Sequence, residues 1–304
     1  MEPKAYVRLI NTLIKENKWD KVGKVCRVFV KRKPNCVQSH FFSGLYHKHF
    51  NESIAALESF NKCIDIDINH FLSYINLIRI LRDLNNFIEA YKYITIGKEK
   101  FPDNILIYIE SSDFYLQINN INDAIIDIKI AIKLNPKSET AQYNYALILN
   151  KLYNDAITDE EIEEYYRKTL IQYMIVLSIN RLNTFALCNY GAVVAKYAIY
   201  YNTKGDILIT QAKQLYTEGK IIEANLLKEK ANLYYMYATQ YNMEAETKYM
   251  EVLDIDPLDY IAHSNLGLIL KSFNQLDKAR FHFTKAIEIN PEYNNAKIEL
   301  DLCR

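Results

Sequence analysis

Residues that break or staple a fold are scarce in this chain. Its 304 residues include 7 glycines, 6 prolines, one tryptophan and five cysteines. So few Gly and Pro exclude flexible or polyproline linkers. The cysteines (Cys26, Cys36, Cys63, Cys188, Cys303) are odd in number and lack CxxC spacing, which argues against a disulfide framework and a zinc site. There is no excess of charge of either sign, with 37 Lys and Arg against 37 Asp and Glu. Uncharged stretches such as 169–180 and 182–195 are too short to cross a bilayer. The opening MEPKAYVRLI lacks the basic segment and unbroken apolar run that export requires. A cytoplasmic location, with the nucleus as an alternative, and no membrane insertion are therefore expected. Six scattered histidines and the absence of HExxH, Ser/His/Asp and glycine-rich phosphate-loop patterns predict that the chain is not an enzyme and needs no cofactor or metal.

What is present is a ruler. Prolines 34, 102, 136, 257 and 291 fall at intervals of 68, 34, 121 and 34, and Ala56, Ala90 and Ala124 keep the same step of 34. A unit of that length is a pair of antiparallel helices that cannot bury its apolar face alone, so several must stack. Half of the residues are hydrophobic and 24% are charged, which supplies the core such a stack needs.

The segment 260–293 reads YIAHSNLGLILKSFNQLDKARFHFTKAIEINPEY, with apolar residues three and four apart in two helices broken near 272–275. Counting Tyr260 as position 1, Leu266 and Gly267 fall at 7 and 8, Ala279 at 20, Phe283 at 24, Ala286 at 27 and Pro291 at 32. This resembles a tetratricopeptide repeat. Small side chains at 8, 20 and 27 let helices approach, large ones fill the space between them, and the proline ends the second helix. The resemblance implies an all-α fold, a right-handed α-solenoid or superhelix of about eight helix-turn-helix repeats in a single domain over 1–304. The expected repeats are 3–36, 37–70, 71–104, 105–138, 139–183 with an extended second helix opened by Thr158, an irregular 184–225, 226–259 and 260–293, followed by a capping helix over 294–304. Between 203 and 242 two readings stay open, an extra helical pair or one long helix, because Gly219, Ala224 and Ala231 also fit positions 15, 20 and 27 of a competing frame.

In proteins of this family the concave face is lined by positions 2, 5, 6, 9, 12 and 13 of each first helix. Position 6 holds Asn76, Asn144, Asn189 and Asn265, similar to the asparagine ladder in the repeats of protein O-GlcNAc transferases. An asparagine carries a donor and an acceptor and can grip a peptide bond without reading side chains. The same positions hold Lys4, Arg8, Lys15, Lys48, Arg79, Arg82, Lys151, Lys196, Lys230 and Lys271 against Asp83, Glu110 and Asp113, and residues 1–49 carry eleven Lys and Arg against three acids. A positive groove strongest at its first end is expected to draw an acidic segment. The peptide-binding set is therefore Asn76, Asn144, Asn189, Asn265, Lys4, Arg8, Arg79, Arg82, Lys151 and Lys196, and the expected function is a non-enzymatic scaffold or adaptor for an extended, acidic segment of another protein. RNA binding by the basic first end, or regulation of an enzyme complex, are the alternatives. Nucleic acid and small molecules are not the expected ligands. The Lys, Asn and Arg pattern that clamps Hsp70 or Hsp90 C-terminal tails is absent, since Phe41, Leu45, Leu106 and Glu110 flank Asn76 where it requires polar or basic residues. His40 and His47 sit at inward positions 4 and 11 and are expected to be structural, and the DIDIN run from Asp65 is expected to be a helix end.

Overall fold

A computed structural model describes Glu2 to Cys303. Among the described residues there are fifteen α-helices and no strand: α1 (Pro3–Lys15), α2 (Trp19–Arg32), α3 (Val37–His49), α4 (Ser53–Ile66), α5 (Phe71–Asp83), α6 (Phe87–Lys100), α7 (Ile105–Gln117), α8 (Ile121–Leu134), α9 (Glu139–Asp155), α10 (Asp159–Ile179), α11 (Thr184–Thr217), α12 (Ile221–Ile255), α13 (Tyr260–Ser272), α14 (Leu276–Ile289) and α15 (Asn294–Asp301). The chain divides within α9 into two compact units, one up to Asn144 and one from Tyr145 on. Each is an all-α solenoid segment in which a helix packs on its hairpin partner and on the first helix of the following pair. In the first unit α1 also touches α3 and α5 touches α7; in the second, α11 touches α13 and α13 touches α15. Second helices make no comparable contact with one another among the described residues, so in each unit the first helices form the closely spaced layer.

The repeat chemistry acts locally. Ala56, Ala90, Ala124, Ala131, Ala245, Ala279 and Ala286 are fully buried. A Cβ added to Gly267 would come within 2.6 Å of the buried Phe283 ring, so position 8 is small because position 24 is large. Turns inside the pairs reuse one device. Asn17, Asn51, Asn85, Asn119 and Asn274, all at position 15, adopt φ of 54–60°. The next residue donates its N–H to a carbonyl five residues back, as Asn86 does to Leu81 at 2.8 Å and Gln275 to Leu270 at 2.9 Å. Asparagine tolerates this left-handed conformation and the bond satisfies an end carbonyl of the first helix. The turns between pairs carry a second device. His40, Tyr74, Gln142 and His263, all at position 4, hydrogen-bond the carbonyl oxygens of Pro34, Ile68, Pro136 and Pro257. That is the work of two of the six histidines.

The middle of the chain departs from the ruler. Thr158 caps α10 in a full capping box with Glu161, and α10 runs 21 residues against the usual 14. The break expected between 225 and 226 is absent: α11 and α12 are single helices of 34 and 35 residues, joined by a tight turn at Gly219 with φ of +76°. The cause lies in two buried heptads of small residues, Gly191, Ala198, Gly205 and Ala212 on α11 and Ala224, Ala231, Ala238 and Ala245 on α12. A seven-residue small-residue seam keeps two antiparallel helices in close contact over many turns, so neither needs to stop. Lys230 and Ala231 consequently lie on a second helix and not on the first-helix face.

Candidate functional site

The first-helix face of the first unit carries a polar network built from the repeat register. Glu110 on α7, with its side chain only 3% exposed, accepts from Arg79 Nε at 2.7 Å and from Arg82 Nη1 at 3.0 Å, both on α5. Arg82 also lies 3.6 Å from Asp113 Oδ2. Asn144 Nδ2 on α9 donates to Asp113 Oδ1 at 2.8 Å. On the other side Lys48 Nζ on α3 donates to Asn76 Oδ1 at 3.0 Å, while Asn76 Nδ2 donates to Leu72 O at 2.8 Å. Partners on successive first helices are separated by 28 or 31 in sequence, which means position 12 or 9 of one first helix facing position 6 of the next. Lys271 and Glu299 repeat the separation of 28, at 2.8 Å, in the second unit. A carboxylate as buried as Glu110 is tolerable only because two guanidinium groups replace its water. Burial raises Asp113 to about 6, a shift that Arg82 opposes.

Two expectations change as a result. The cations Arg79 and Arg82 are engaged with Glu110, so the middle of the face is a neutralised lattice and not a free positive stripe. Asn76 is buried and already spends one amide hydrogen and one acceptor position of its oxygen within the protein, so it is not an open grip for a ligand. Asn144 is partly exposed and its amide nitrogen serves Asp113. In the second unit Asn189 is half-buried with partners inside the protein, and Asn265 places its amide nitrogen 3.9 Å from Cys188 Sγ. Lys151 pairs with Asp155 at 3.2 Å. Lys196 donates to Asn154 at 2.7 Å and lies over the Tyr153 ring. Phe42 is buried against α1, and Phe41 packs against Phe60 and His70, so neither forms an open apolar patch.

At the first end the picture differs. Lys4, Arg8 and Lys15 are exposed, and no ion pair is formed by them among the described residues. Lys4 and Arg8 line a hollow with Pro3, Val7 and Gln38. His47 pairs with Glu52 Oε2 at 2.5 Å and His49 stacks on Trp19, so the histidine cluster is divided among separate contacts, and the described residues hold no group of three or more metal-ligating side chains. No helix among the described residues is long and apolar enough to cross a membrane.

Comparison with known proteins agrees with this architecture. The tetratricopeptide repeat model matches residues 260–293. Residues 260–293 thus match a tetratricopeptide repeat, and the stacked helix pairs described above share that repeat's architecture. It is similar to TPR repeat-containing protein MJ1428 of Methanocaldococcus jannaschii, at 25% identity over 255 residues covering 81% of this chain. The chain spans 42% of the length of that curated relative. Among solved structures, the hetero-tetramer Cut9–Hcn1 of APC/C matches with a TM-score of 0.61 and 14% identity, over 97% of this chain and 48% of the other. The TPR protein TTC0263 of Thermus thermophilus matches with a TM-score of 0.50 and 14% identity, over 77% and 98%. The human IFIT1 dimer with m7Gppp-AAAA matches with 0.50 and 12%, over 89% and 67%. At these identities the structural matches establish the fold.

Proposed function

We propose that the chain is a non-enzymatic interaction scaffold that holds an extended, acidic segment of another protein along its first-helix face, with the acidic part at Lys4, Arg8 and Lys15. Tetratricopeptide-repeat proteins generally hold other proteins. The observation that carries the reading here is the contrast between cations: those at the middle of the face are engaged by Glu110 and Asn76, while these three form no ion pair among the described residues and two of them, Lys4 and Arg8, line a hollow. Unpaired, exposed cations raise the local concentration of an anionic partner at little desolvation cost. The test is fluorescence anisotropy with a labelled glutamate-rich peptide on wild-type chain and on Lys4→Glu/Arg8→Glu. Both side chains are exposed, so the fold should persist, and affinity should fall by roughly tenfold or more, as two ion-pair contacts at about 1 kcal/mol each imply. Equal affinity for both proteins would defeat the proposal.

The second reading, RNA binding at the basic first end, is favoured by the outer side of α2, where Lys24, Arg27, Lys31 and Arg32 are exposed without ion pairs among the described residues. Human IFIT1, which shares the fold at 12% identity, was solved with m7Gppp-AAAA. A single-stranded RNA probe in the same assay separates the two, because phosphate binding weakens steeply with salt.

A further inference from the structure

In the second unit a hollow of about 280 Å³ opens between α11, α12 and α13. Ala192, Ala195 and Ile199 of α11 form one wall, Leu268 and Ile269 of α13 the other, and Tyr249 of α12 the floor. An apolar cavity of roughly 150 Å³ holds a benzene ring, so this one has room for a fused pair of rings. Its polar edge is specific. Asn242, 8% exposed, donates from Nδ2 to Ser272 Oγ at 3.2 Å, and Ser272 in turn donates to Ile269 O. The Asn242 Oδ1 acceptor receives no protein donor among the described residues, and neither does the half-buried Asn202 side chain, which lines the same hollow. Lys196 stands on the rim, shared with a second hollow lined by Tyr153 and Tyr200. Its ammonium contacts the Asn154 amide and the Tyr153 ring and forms no ion pair among the described residues.

We propose that this hollow is an anchor site for a tryptophan side chain of a bound partner segment, with an acidic residue next to it in the partner. The indole supplies both things the cavity asks for, a flat apolar body for the Ile199 and Leu268 walls and an N–H for Asn242 Oδ1. The neighbouring carboxylate answers Lys196, a cation partly desolvated by its surroundings and so better satisfied by an anion than by an amide. A plain hydrocarbon group would leave the acceptor unpaired, and a wholly charged segment would leave the walls uncovered. The identification of the occupant as a partner's segment rests on the scaffold reading above. The pocket itself does not.

The test uses the full chain and four small probes followed by isothermal titration calorimetry: N-acetyl-Trp-Asp-amide, N-acetyl-Ala-Asp-amide, N-acetyl-Trp-Asn-amide, and the Trp-Asp dipeptide with 1-naphthylalanine, which lacks the N–H, in place of tryptophan. Trp-Asp should bind at least tenfold more tightly than Ala-Asp and several-fold more tightly than the naphthyl probe. Ala192→Leu, a change at an exposed wall position that narrows the hollow, should reduce Trp-Asp binding about tenfold. Lys196→Gln, also at an exposed residue, should weaken Trp-Asp and leave N-acetyl-Trp-Asn-amide unchanged. Equal affinities for Trp-Asp and Ala-Asp, or undiminished binding by Ala192→Leu, overturn the site. Equal affinities for the indole and naphthyl probes overturn the role of Asn242. If Trp-Asp binds here while the glutamate-rich peptide ignores Lys4 and Arg8, the acidic-end reading fails alone. If the glutamate-rich peptide binds and Trp-Asp does not, the anchor fails alone.

Discussion

Asp113 offers a direct test of the network on the first-helix face. Its carboxyl is raised from 3.8 to about 6, chiefly by burial, with Arg82 and the Asn144 amide opposing. A carboxyl raised in the folded state favours the fold while it is protonated. Its stabilising contribution is complete below the unfolded value near 4 and is lost as pH rises through about 6. Two pKa units correspond to a ceiling of about 3 kcal/mol at 1.36 kcal/mol per unit. Because the side chain is 31% exposed, solvent reduces this to about 1–2 kcal/mol. Asp113→Asn keeps the shape, retains an acceptor for Asn144 and removes the charge. The variant should therefore match wild type at pH 4 and exceed it by about 1–2 kcal/mol at pH 7.5. Urea unfolding followed by far-ultraviolet circular dichroism at half-unit steps from pH 4 to 8 gives both curves, and subtracting them cancels every other titration. Parallel curves, or a variant less stable at neutral pH, would refute the reasoning: the first would mean that Asp113 is not desolvated, the second that its attraction to Arg82 outweighs burial.

Glu110→Ala strands Arg79 and Arg82 without their shared carboxylate. With Arg82 at 17% exposure the loss should be about 2–4 kcal/mol in the same urea assay, and Arg79→Ala added to it should cost little more. Gly267→Ala and Gly97→Ala make a contrasting pair read as shifts in thermal midpoint. The first forces a methyl to 2.6 Å from the enclosed Phe283 ring and should destabilise by about 1–2 kcal/mol after the gain in helix propensity. The second meets only the tip of Ile107 at 2.8 Å, which can turn aside, and should be close to neutral.

Most helix beginnings are legible because the signals that set them are local. The expected repeat starts at 3, 37, 71, 105, 139, 184 and 260 coincide with the first residues of α1, α3, α5, α7, α9, α11 and α13. Proline at position 32 and small residues at 8, 20 and 27 act within one hairpin. The left-handed asparagines stay hidden in the sequence although Asn17, Asn51, Asn85 and Asn119 recur at the repeat period, because asparagine is common in the chain and its presence alone does not fix a left-handed backbone. The long hairpin is concealed for a related reason. Ala224 and Ala231 fit repeat positions when taken singly, and only the seven-residue spacing of Ala224, Ala231, Ala238 and Ala245 against Gly191, Ala198, Gly205 and Ala212 shows one seam. Of the site residues, the sequence indicates which side of the helices they occupy. It does not show how they are spent. Arg79 reads as a groove cation until Glu110, on the following first helix, is placed beside it. That pairing depends on how two helices lie side by side, which composition cannot express.

The lateral pairs also bear on how such a chain can be rearranged. A tandem array of interchangeable units can be cut and rejoined at any boundary. Here the joints are keyed: Arg79 and Arg82 on one helix match Glu110 on the next, and Asp113 matches Asn144 after it. If the α5–α6 and α7–α8 pairs exchanged places, Lys48 would meet Glu110, but two arginines would face the single neutral amide of Asn144. Every unit would still be a sound hairpin, and the sequence of units would be wrong. Gene duplication or repeat shuffling in this region is thus constrained by the neighbours a repeat was made for, so the succession of its parts is as much a property of the molecule as the parts themselves.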